Sequence, residues 1–404
     1  MQALVESSCR LPSWRPLAAG LLALLAGSVA VPATAADVAP YSAQAAPDWT
    51  ALFDRRSGWT GADGVYSFPL AGDERPGSGA GQRTLIFFSD TFVGTVNDDG
   101  SRSNTTMINN STALLLGDQP DPAGLAFQVR NDAKGRPRSM VQPRRPTDPS
   151  ERYWPNDGVV IDGQVHVFAL RIQDAPTPPF AFKTAGVALL SASADDAVPF
   201  AGAYQQARTP LFIAPNADGQ GEVTFGNAVM PLTAAAGAPA PDGFVYVYGN
   251  RGGRYAKFLL AARVPAAQIG QFKAYRYWDG SAWVPQIERA ANLTRGVSTE
   301  FSVQPLPDGR FLLVHMTEPL GRTVAVRYGA SPVGPWGPDI PVWDCPEATL
   351  TANTFVYGAK AHPHLSAAGE LLISYHVNSF DFWENFSAGG AAIYRPRFLR
   401  LPLP

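Results

Sequence analysis

The sequence predicts an all-β protein folded as a five-bladed β-propeller. Two features of the chain indicate that it consists of β-strands. Short runs of β-branched and aromatic residues, such as Thr84–Phe88 and Phe244–Tyr248, recur between Gly, Pro, Asp and Asn residues. Segments with helical periodicity and caps are nearly absent. So many short strands need a pair of sandwiches, a barrel or a propeller to hide their edges.

A fivefold internal echo favours the propeller over two sandwich domains. Each echo is a short strand, and the last four echoes are followed by a turn and a longer apolar strand. The echoes begin at Asp63, Asp157, Asn227, Phe301 and Lys360. Their spacing of roughly 60 to 95 residues allows four strands per blade. The first strand of each blade lines the central channel, so the echoes predict a common polar funnel.

Closure of such a ring predicts where the chain ends meet. A propeller leaves no open edge when one terminus completes the blade formed by the other. We therefore expect the C-terminal strand Arg397–Leu401 to lie in the fifth blade, beside a strand from the segment Trp49–Asp54.

The N-terminus has the pattern of a secretory signal peptide. Arg10 and Arg15 precede an apolar run from Leu17 to Val31, and small residues follow up to Ala35. The run is shorter than the roughly 18 to 20 residues that span a bilayer. We expect residues 1–35 to be removed and residues 36–404 to form a single propeller domain. The mature protein is then secreted, extracellular or periplasmic, with no membrane attachment.

Charge and cysteine content narrow the function classes. The predicted signal peptide carries a net charge of +1, so its removal takes the formal charge from −2 to about −3. No long Lys/Arg run is present, which argues against a nucleic-acid partner. Cys9 lies in the signal peptide, and Cys345 is expected to be a buried packing residue. Low charge and abundant aromatic residues suit a monomer that binds a neutral carbohydrate.

Four carboxylates, three of them in or beside the echoes, supply the chemistry of glycoside hydrolysis. That reaction needs one acid to protonate the leaving oxygen and one carboxylate as base or nucleophile. The candidates are Asp63, Asp90, Asp157 and Glu300. Asp90 follows the strand Leu85–Ser89, which should pair with the strand after Asp63 and bring both carboxylates to one end of the first blade. For any single Asp before Gly, a plain turn residue is the competing interpretation.

Six further residues are candidates for substrate contact. Trp59 and Trp154 offer sugar-stacking surfaces, although packing between blades is an equally good interpretation. Asn110 could bind hydroxyls or close a turn. Asn227 can hydrogen-bond a sugar but cannot transfer a proton. The remaining two are Lys360 and His362. Histidines at 362 and 364 are a weak metal signal, so we predict no catalytic metal and no required cofactor, with room for a structural cation in the channel.

Several motifs resemble a secreted bacterial propeller family long left as a domain of unknown function. They are Trp59–Gly64, Phe88–Gly94, Met107–Ser111, Tyr275–Trp283, Ser331–Trp336 and Lys360–Pro363. That family is similar to the endo-D-arabinanases and, more distantly, to the five-bladed arabinanase, xylosidase and fructosidase superfamily. The resemblance covers nearly all of the mature chain.

The resemblance implies a catalytic pair. In D-arabinanase-like members an Asp in a G-x-D-G context and an Asp in an F-[GS]-D-T context form the pair, and these correspond to Asp63 and Asp90. The wider superfamily places Asp, Asp and Glu on successive blades, which would make Asp157 and Glu300 supporting residues. Glu300 belongs to the fourth echo here and not the third, so the three-carboxylate scheme does not transfer directly.

Together these observations predict a secreted glycoside hydrolase that acts on a furanosidic polysaccharide or oligosaccharide, with D-arabinan the substrate that the resemblance implies. The alternative is a non-catalytic carbohydrate-binding propeller, because a fold does not fix a function. A polysaccharide lyase ranks last, since Lys360 is the one obvious channel cation. A binding module has no reason to hold like charges together, so Asp63 and Asp90 favour the enzyme.

Overall fold

The computed structural model describes residues 42–176, 181–253, 256–318 and 320–403 and consists mainly of β-strands. The predicted signal peptide lies outside these residues. One α-helix, α1, spans Pro47–Ala51. Single turns of 3₁₀-helix span Pro122–Gly124, Ala266–Gln268, Phe272–Ala274, Ile287–Arg289, Pro346–Thr349, Pro363–Leu365, Phe382–Phe386 and Gly390–Ala392. No helix within the described ranges is long and apolar enough to cross a membrane.

The strands follow one another along the whole described chain. In order they are β1 (Gln44–Ala45), β2 (Ser57–Ala62), β3 (Tyr66–Pro69), β4 (Arg83–Phe88), β5 (Thr91–Val96), β6 (Arg102–Ile108), β7 (Ser111–Leu116), β8 (Leu125–Gln128), β9 (Arg130–Asn131), β10 (Pro137–Arg138), β11 (Arg152–Ile161), β12 (Gln164–Asp174), β13 (Phe182–Ser193), β14 (Gln205–Arg208), β15 (Phe212–Ile213), β16 (Val223–Leu232), β17 (Phe244–Gly252), β18 (Lys257–Pro265), β19 (Arg276–Trp278), β20 (Trp283–Val284), β21 (Thr294–Val297), β22 (Phe301–Pro305), β23 (Phe311–Met316), β24 (Thr323–Gly329), β25 (Ile340–Asp344), β26 (Thr354–Ala361), β27 (Glu370–Ser379) and β28 (Pro396–Pro402).

Within the described residues, five antiparallel sheets have four or more strands. Their orders are β3-β4-β7-β8, β11-β12-β13-β14, β15-β16-β17-β18-β19-β20 with β21 beside β18, β22-β23-β24-β25, and β26-β27-β28-β1. Each sheet contains one strand that carries or borders a sequence echo: β3, β11, β16, β22 or β26. Two smaller sheets, β2-β5-β6 and β9-β10, complete the strand pairing. The chain is therefore all-β, as predicted.

The five echo strands neighbour one another in chain order. Contacts join β3 to β11, β11 to β16, β16 to β22 and β22 to β26. The fifth sheet then returns to the first, because His376 Nε2 on β27 accepts a hydrogen bond from the Val65 N–H beside β3. Hydrophobic clusters fill the space between successive sheets, for example around Phe87, Phe168 and Tyr248. Cys345 is fully buried in the cluster between the fourth and fifth sheets, so its predicted packing role is confirmed.

The two ends of the described chain meet in the fifth sheet. Strand β28 pairs with β27 on one side and with β1 on the other. The predicted location of the C-terminal strand is confirmed, whereas its predicted partner Trp49–Asp54 is wrong. Residues Pro47–Ala51 are helical, because Pro47 stands in the first turn, where its missing N–H costs nothing. The Trp49 ring is buried against Phe398, with 6.0 Å between centroids.

Bulges shape three of the echo strands. The pairing register shifts between Pro155 and Gly158, between Phe225 and Ala228, and between Tyr357 and Lys360. A bulge bends its strand and re-aims the side chains around it. Counted from the bulges, Ala359 is the position equivalent to Asp157 and Asn227. Lys360 therefore lies one residue beyond the register position that its echo predicted.

Candidate active site

Asp63 and Asp90 are brought together by their backbones. The Ser89 N–H donates to the Asp63 carbonyl at 2.8 Å, and the Asp63 N–H donates to the Asp90 carbonyl at 3.4 Å. The predicted hairpin is present, since β3 pairs with β4. Gly64, with φ of +65°, turns the chain between Asp63 and β3, and a Cβ there would lie 2.7 Å from Ser89 Oγ. The glycine thus permits the close approach of the two segments.

The Asp63 carboxyl group is surrounded by tyrosines. The Tyr357 hydroxyl donates to Asp63 Oδ2 at 2.6 Å. The other oxygen, Oδ1, is shielded from solvent and has no protein hydrogen-bond partner among the described residues. Burial, reinforced by the negative charge of Asp90, raises the pKa of Asp63 to about 8. Asp63 therefore keeps a proton at neutral pH.

The Asp90 carboxyl group accepts hydrogen bonds from two side chains. Trp154 Nε1 donates to Asp90 Oδ1 at 2.9 Å, and Asn109 Nδ2 lies 3.4 Å from the same oxygen. Burial raises the pKa of Asp90 to about 6, while these hydrogen bonds oppose the rise. Asp90 is thus the more readily ionised member of the pair. One protonated and one ionised carboxyl at neighbouring positions is the combination that acid-base chemistry needs.

Glu300 belongs to a buried ion pair. Lys360 Nζ lies 2.5 Å from Glu300 Oε2 and 3.2 Å from the centre of the Tyr66 ring. The Tyr66 hydroxyl lies 3.2 Å from the same glutamate oxygen. Burial alone would raise the pKa of Glu300, but the charges of Lys360 and His376 outweigh it and hold the pKa below its usual value. Glu300 is therefore an ionised, charge-balanced group and not a proton donor.

The Asp157 carboxylate accepts hydrogen bonds from two backbone N–H groups. It accepts from the N–H of Val229 at 2.7 Å and from its own neighbour Gly158 at 2.9 Å. Burial raises the pKa of Asp157 to about 7. Asp157 also lines a cavity of about 500 Å³, together with Ser302 of β22 and with His364. Asp63, Asp90 and Glu300 do not line that cavity, so the cavity and the carboxylate pair are separate features.

Two residues predicted to contact substrate are packed inside the first sheet and its surroundings. The Trp59 ring is 2% exposed and stacks on Phe127, with 4.6 Å between centroids. Asn110 is fully buried. Its Nδ2 donates to the carbonyls of Val141 and Tyr153, and its Oδ1 accepts from the Val141 N–H. These side chains have no free face for a sugar, so we assign both to the scaffold.

Asn227 and His362 are likewise buried. Asn227 is fully buried and its Nδ2 donates to the Thr299 carbonyl at 3.0 Å. The two ring nitrogens of His362 lie 2.7 Å from Ser67 Oγ and 2.8 Å from Ser374 Oγ. Protein partners therefore take up the polar atoms that were expected to bind sugar. Trp154 and Lys360, in contrast, do lie among the carboxylates.

Replacing Asn227 by Ala is expected to destabilise the protein. The change removes Asn227 Oδ1, which accepts a hydrogen bond from the hydroxyl of the buried Thr224 at 3.2 Å, and an unsatisfied buried group costs about 1–3 kcal/mol. Thermal unfolding monitored by circular dichroism measures this loss. An unchanged Tm combined with weaker carbohydrate binding would instead restore the substrate-binding interpretation.

The sequence motifs did not single out two further residues near Asp63. Tyr394 lies beside it, and burial together with the charges of Asp63 and Asp90 raises the tyrosine's pKa well above its usual value. His376 holds the chain between Asp63 and Tyr66 through the Val65 N–H. Both come from the C-terminal part of the chain without any local motif. Among the described residues, no group of three or more His, Cys, Asp or Glu is arranged to hold a metal ion.

Comparison with known proteins places the chain in a family. Residues 47–402 match the family described as Domain of unknown function (DUF5005), and the chain belongs to it. No curated protein sequence is significantly similar to the chain.

One of three solved structures similar to the chain, that of a Bacteroides ovatus protein, shares its fold. A crystal structure of a candidate hydrolase from Bacteroides ovatus has a TM-score of 0.69 and 21% identity. The alignment covers 91% of this chain and 93% of the Bacteroides chain. An α-L-arabinofuranosidase from Podospora anserina has a TM-score of 0.41 and 11% identity over 85% and 98% of the two chains. The GH43_1 enzyme of Xanthomonas citri has a TM-score of 0.42 and 13% identity over 88% and 92%. At these identities the likeness concerns the fold alone.

Proposed function

We propose that this member of the DUF5005 family is a glycoside hydrolase whose catalytic pair is Asp63 and Asp90. The observation that carries the proposal is the pair itself, in which two adjacent carboxyl groups have pKa values raised to different levels. A binding surface gains nothing from keeping two carboxyl groups partly desolvated side by side. A glycosidase needs that difference, because one group must give a proton while the other is ionised.

The two carboxyl groups take distinct roles in this proposal. Asp63, with the higher pKa, is the general acid that protonates the leaving oxygen. Tyr357 donates to its Oδ2, so Oδ1 is the oxygen to which we assign the acidic proton. Asp90, held by Trp154 and Asn109, is the ionised base or nucleophile. The chemistry uses side chains only and requires no cofactor.

We include the architecture and the substrate in the proposal. The five large sheets are the blades of a five-bladed propeller, supported by the order of the echo strands and the return of the fifth sheet to the first. The substrate is a furanosidic polysaccharide, with D-arabinan first, supported by the resemblance of the motifs around Asp63 and Asp90. The proposal also includes secretion of the enzyme, which the N-terminal pattern of the sequence supports.

A substrate panel tests the proposal. The mature protein is incubated with D-arabinan, L-arabinan, fructan and xylan, and new reducing ends are measured. We expect release from a furanosidic polymer. A parent protein that binds one of these polymers tightly and cleaves none would replace the hydrolase with the carbohydrate-binding propeller.

The pH dependence of kcat/KM is expected to be bell-shaped. Activity rises as Asp90 ionises near pH 6 and falls as Asp63 loses its proton near pH 8, so the optimum lies between them. Initial rates on the best polymer from pH 4 to 10 measure the profile. Activity that keeps rising beyond pH 9 would contradict Asp63 as the acid.

A further inference from the structure

We propose that three exposed aromatic residues near the catalytic pair, Phe380, Phe382 and Trp383, form a platform that binds successive sugar rings of a polysaccharide. We call this group the aromatic platform. The inference rests on the proposed function and adds a substrate class to it, namely polymers that extend past the cleaved bond. Short oligosaccharides would leave the platform unused.

The platform is unusually exposed for its residue types. Phe380 is 54% exposed, Phe382 44% and Trp383 73%. Three large apolar side chains exposed within four consecutive positions mark a binding surface more often than a chance arrangement. Aromatic rings supply a large, rigid contact area at low entropic cost, which suits the apolar faces of sugar rings.

A line of packed rings connects the platform to Asp63 through Tyr357. The Tyr357 hydroxyl binds Asp63, and the Tyr357 ring lies 5.4 Å from Phe355. Phe355 lies 4.4 Å from Phe380, at the edge of the platform. The platform is therefore continuous with the proposed catalytic pair.

A second line of rings reaches the platform from the other tyrosine. Tyr394, beside Asp63, lies 4.8 Å from Phe92. Phe92 lies 6.1 Å from Phe382, which is 5.7 Å from Trp383. Tyr394 and Phe92 are 7% and 1% exposed, so this second line fixes the platform to the interior beside Asp63. The first line, through the half-buried Tyr357 and Phe355, is the one along which a sugar chain cleaved at Asp63 reaches the platform.

The loop that carries the platform is held in place. The Asp381 carboxylate accepts the Trp383 N–H at 3.0 Å and so fixes the start of the 3₁₀ turn. Glu384 accepts hydrogen bonds from Ser379 and from Thr351. Arg102 is buried beneath the loop and donates to the carbonyls of residues 385, 390 and 393. A preorganised surface of this kind loses little entropy when it binds.

The charges around the platform favour a neutral occupant. Both acidic residues within the loop, Asp381 and Glu384, already accept hydrogen bonds from the protein. These carboxylates therefore stabilise the loop, and the aromatic rings provide the contact area for a ligand. The negative charges of Asp381 and Glu384 remain beside the rings, so this combination suits a neutral polysaccharide better than an anionic one.

The double variant Phe380→Ala/Trp383→Ala tests the platform. The loss of two ring contacts predicts a loss of roughly 5- to 150-fold in affinity for the polymer. Binding is measured by affinity gel electrophoresis in the inactive Asp63→Asn background, with the polymer of the substrate panel that the parent protein cleaves or binds best. In the active background, kcat/KM should fall much more on the polymer than on a short aryl glycoside. Leu116→Ala is the matched control, because Leu116 is 62% exposed at the opposite end of its strand from the site.

The outcomes separate the two proposals. Unchanged polymer binding and unchanged kcat/KM in the double variant overturn the platform, even if the parent is an active hydrolase. Weaker polymer binding in the double variant of a parent that cleaves nothing supports the platform and overturns the hydrolase. A parent that dimerises in sedimentation, through a contact that the double variant abolishes without a change in polymer binding, assigns the surface to a second copy and overturns the platform.

Discussion

Replacing either Asp63 or Asp90 by Asn is expected to lower the turnover of the cleaved polymer on the order of 10²- to 10⁴-fold. The amide keeps the size of the side chain and can still meet Tyr357 or Trp154, but it can neither give nor take the proton. Because the two groups act on one bond, the double variant should lose little more than either single variant. Initial rates of reducing-end release at pH 7 measure all three.

Stability provides the control for these variants. The folded pKa of Asp63 lies above its unfolded value, so the folded protein holds a proton that the unfolded chain has lost. This group therefore costs stability increasingly as pH rises from about 4 to about 8. Asp63→Asn removes that cost, and its Tm should exceed that of the parent by more at pH 8 than at pH 4. Asp98→Asn, at a fully exposed position, should change neither activity nor Tm. Polymer cleavage at the parental rate by Asp63→Asn would contradict the catalytic pair.

The local architecture around the pair could be predicted from the sequence. Apolar runs such as Leu85–Phe88 form buried strands because their β-branched and aromatic side chains pack on a pleated surface. Asp63 and Asp90 lie beside the ends of two strands that are consecutive in the chain, so one hairpin suffices to bring them together. Each echo likewise depends on residues close in sequence, and each one falls in or beside a strand of its own sheet.

The rest of the site depends on contacts between distant parts of the chain. Tyr357 lies 294 residues from Asp63 in the sequence and Tyr394 lies still farther away, and no local pattern encodes their approach. Burial is also a tertiary property. Trp59 and His362 have the chemistry of sugar-binding residues, but the neighbouring sheets cover them and supply their partners. Residue type alone could not separate them from Trp154, which reaches Asp90.

Replacing Lys360 by Met is expected to destabilise the protein by about 3–5 kcal/mol, because it removes the counter-charge of a buried carboxylate. The Lys360 and Glu300 side chains are 4% and 15% exposed, so water cannot take over the lost interaction. Without Lys360 the folded pKa of Glu300 should rise above its unfolded value. The loss of stability should therefore be larger at pH 8 than at pH 5, where Glu300 can take up a proton.

Restoring the charge balance should restore most of the stability. In the double variant Lys360→Met/Glu300→Gln the buried charge is gone, and the amide can still interact with the Tyr66 hydroxyl. Urea unfolding at pH 5 and pH 8 measures the free energy of unfolding of the parent and both variants. Arg56→Met is the matched control, since its pair with Asp98 is exposed and such pairs contribute about 1 kcal/mol or less. If the double variant is no more stable than Lys360→Met at pH 8, the destabilisation comes from lost packing over Tyr66 and not from the unpaired charge of Glu300.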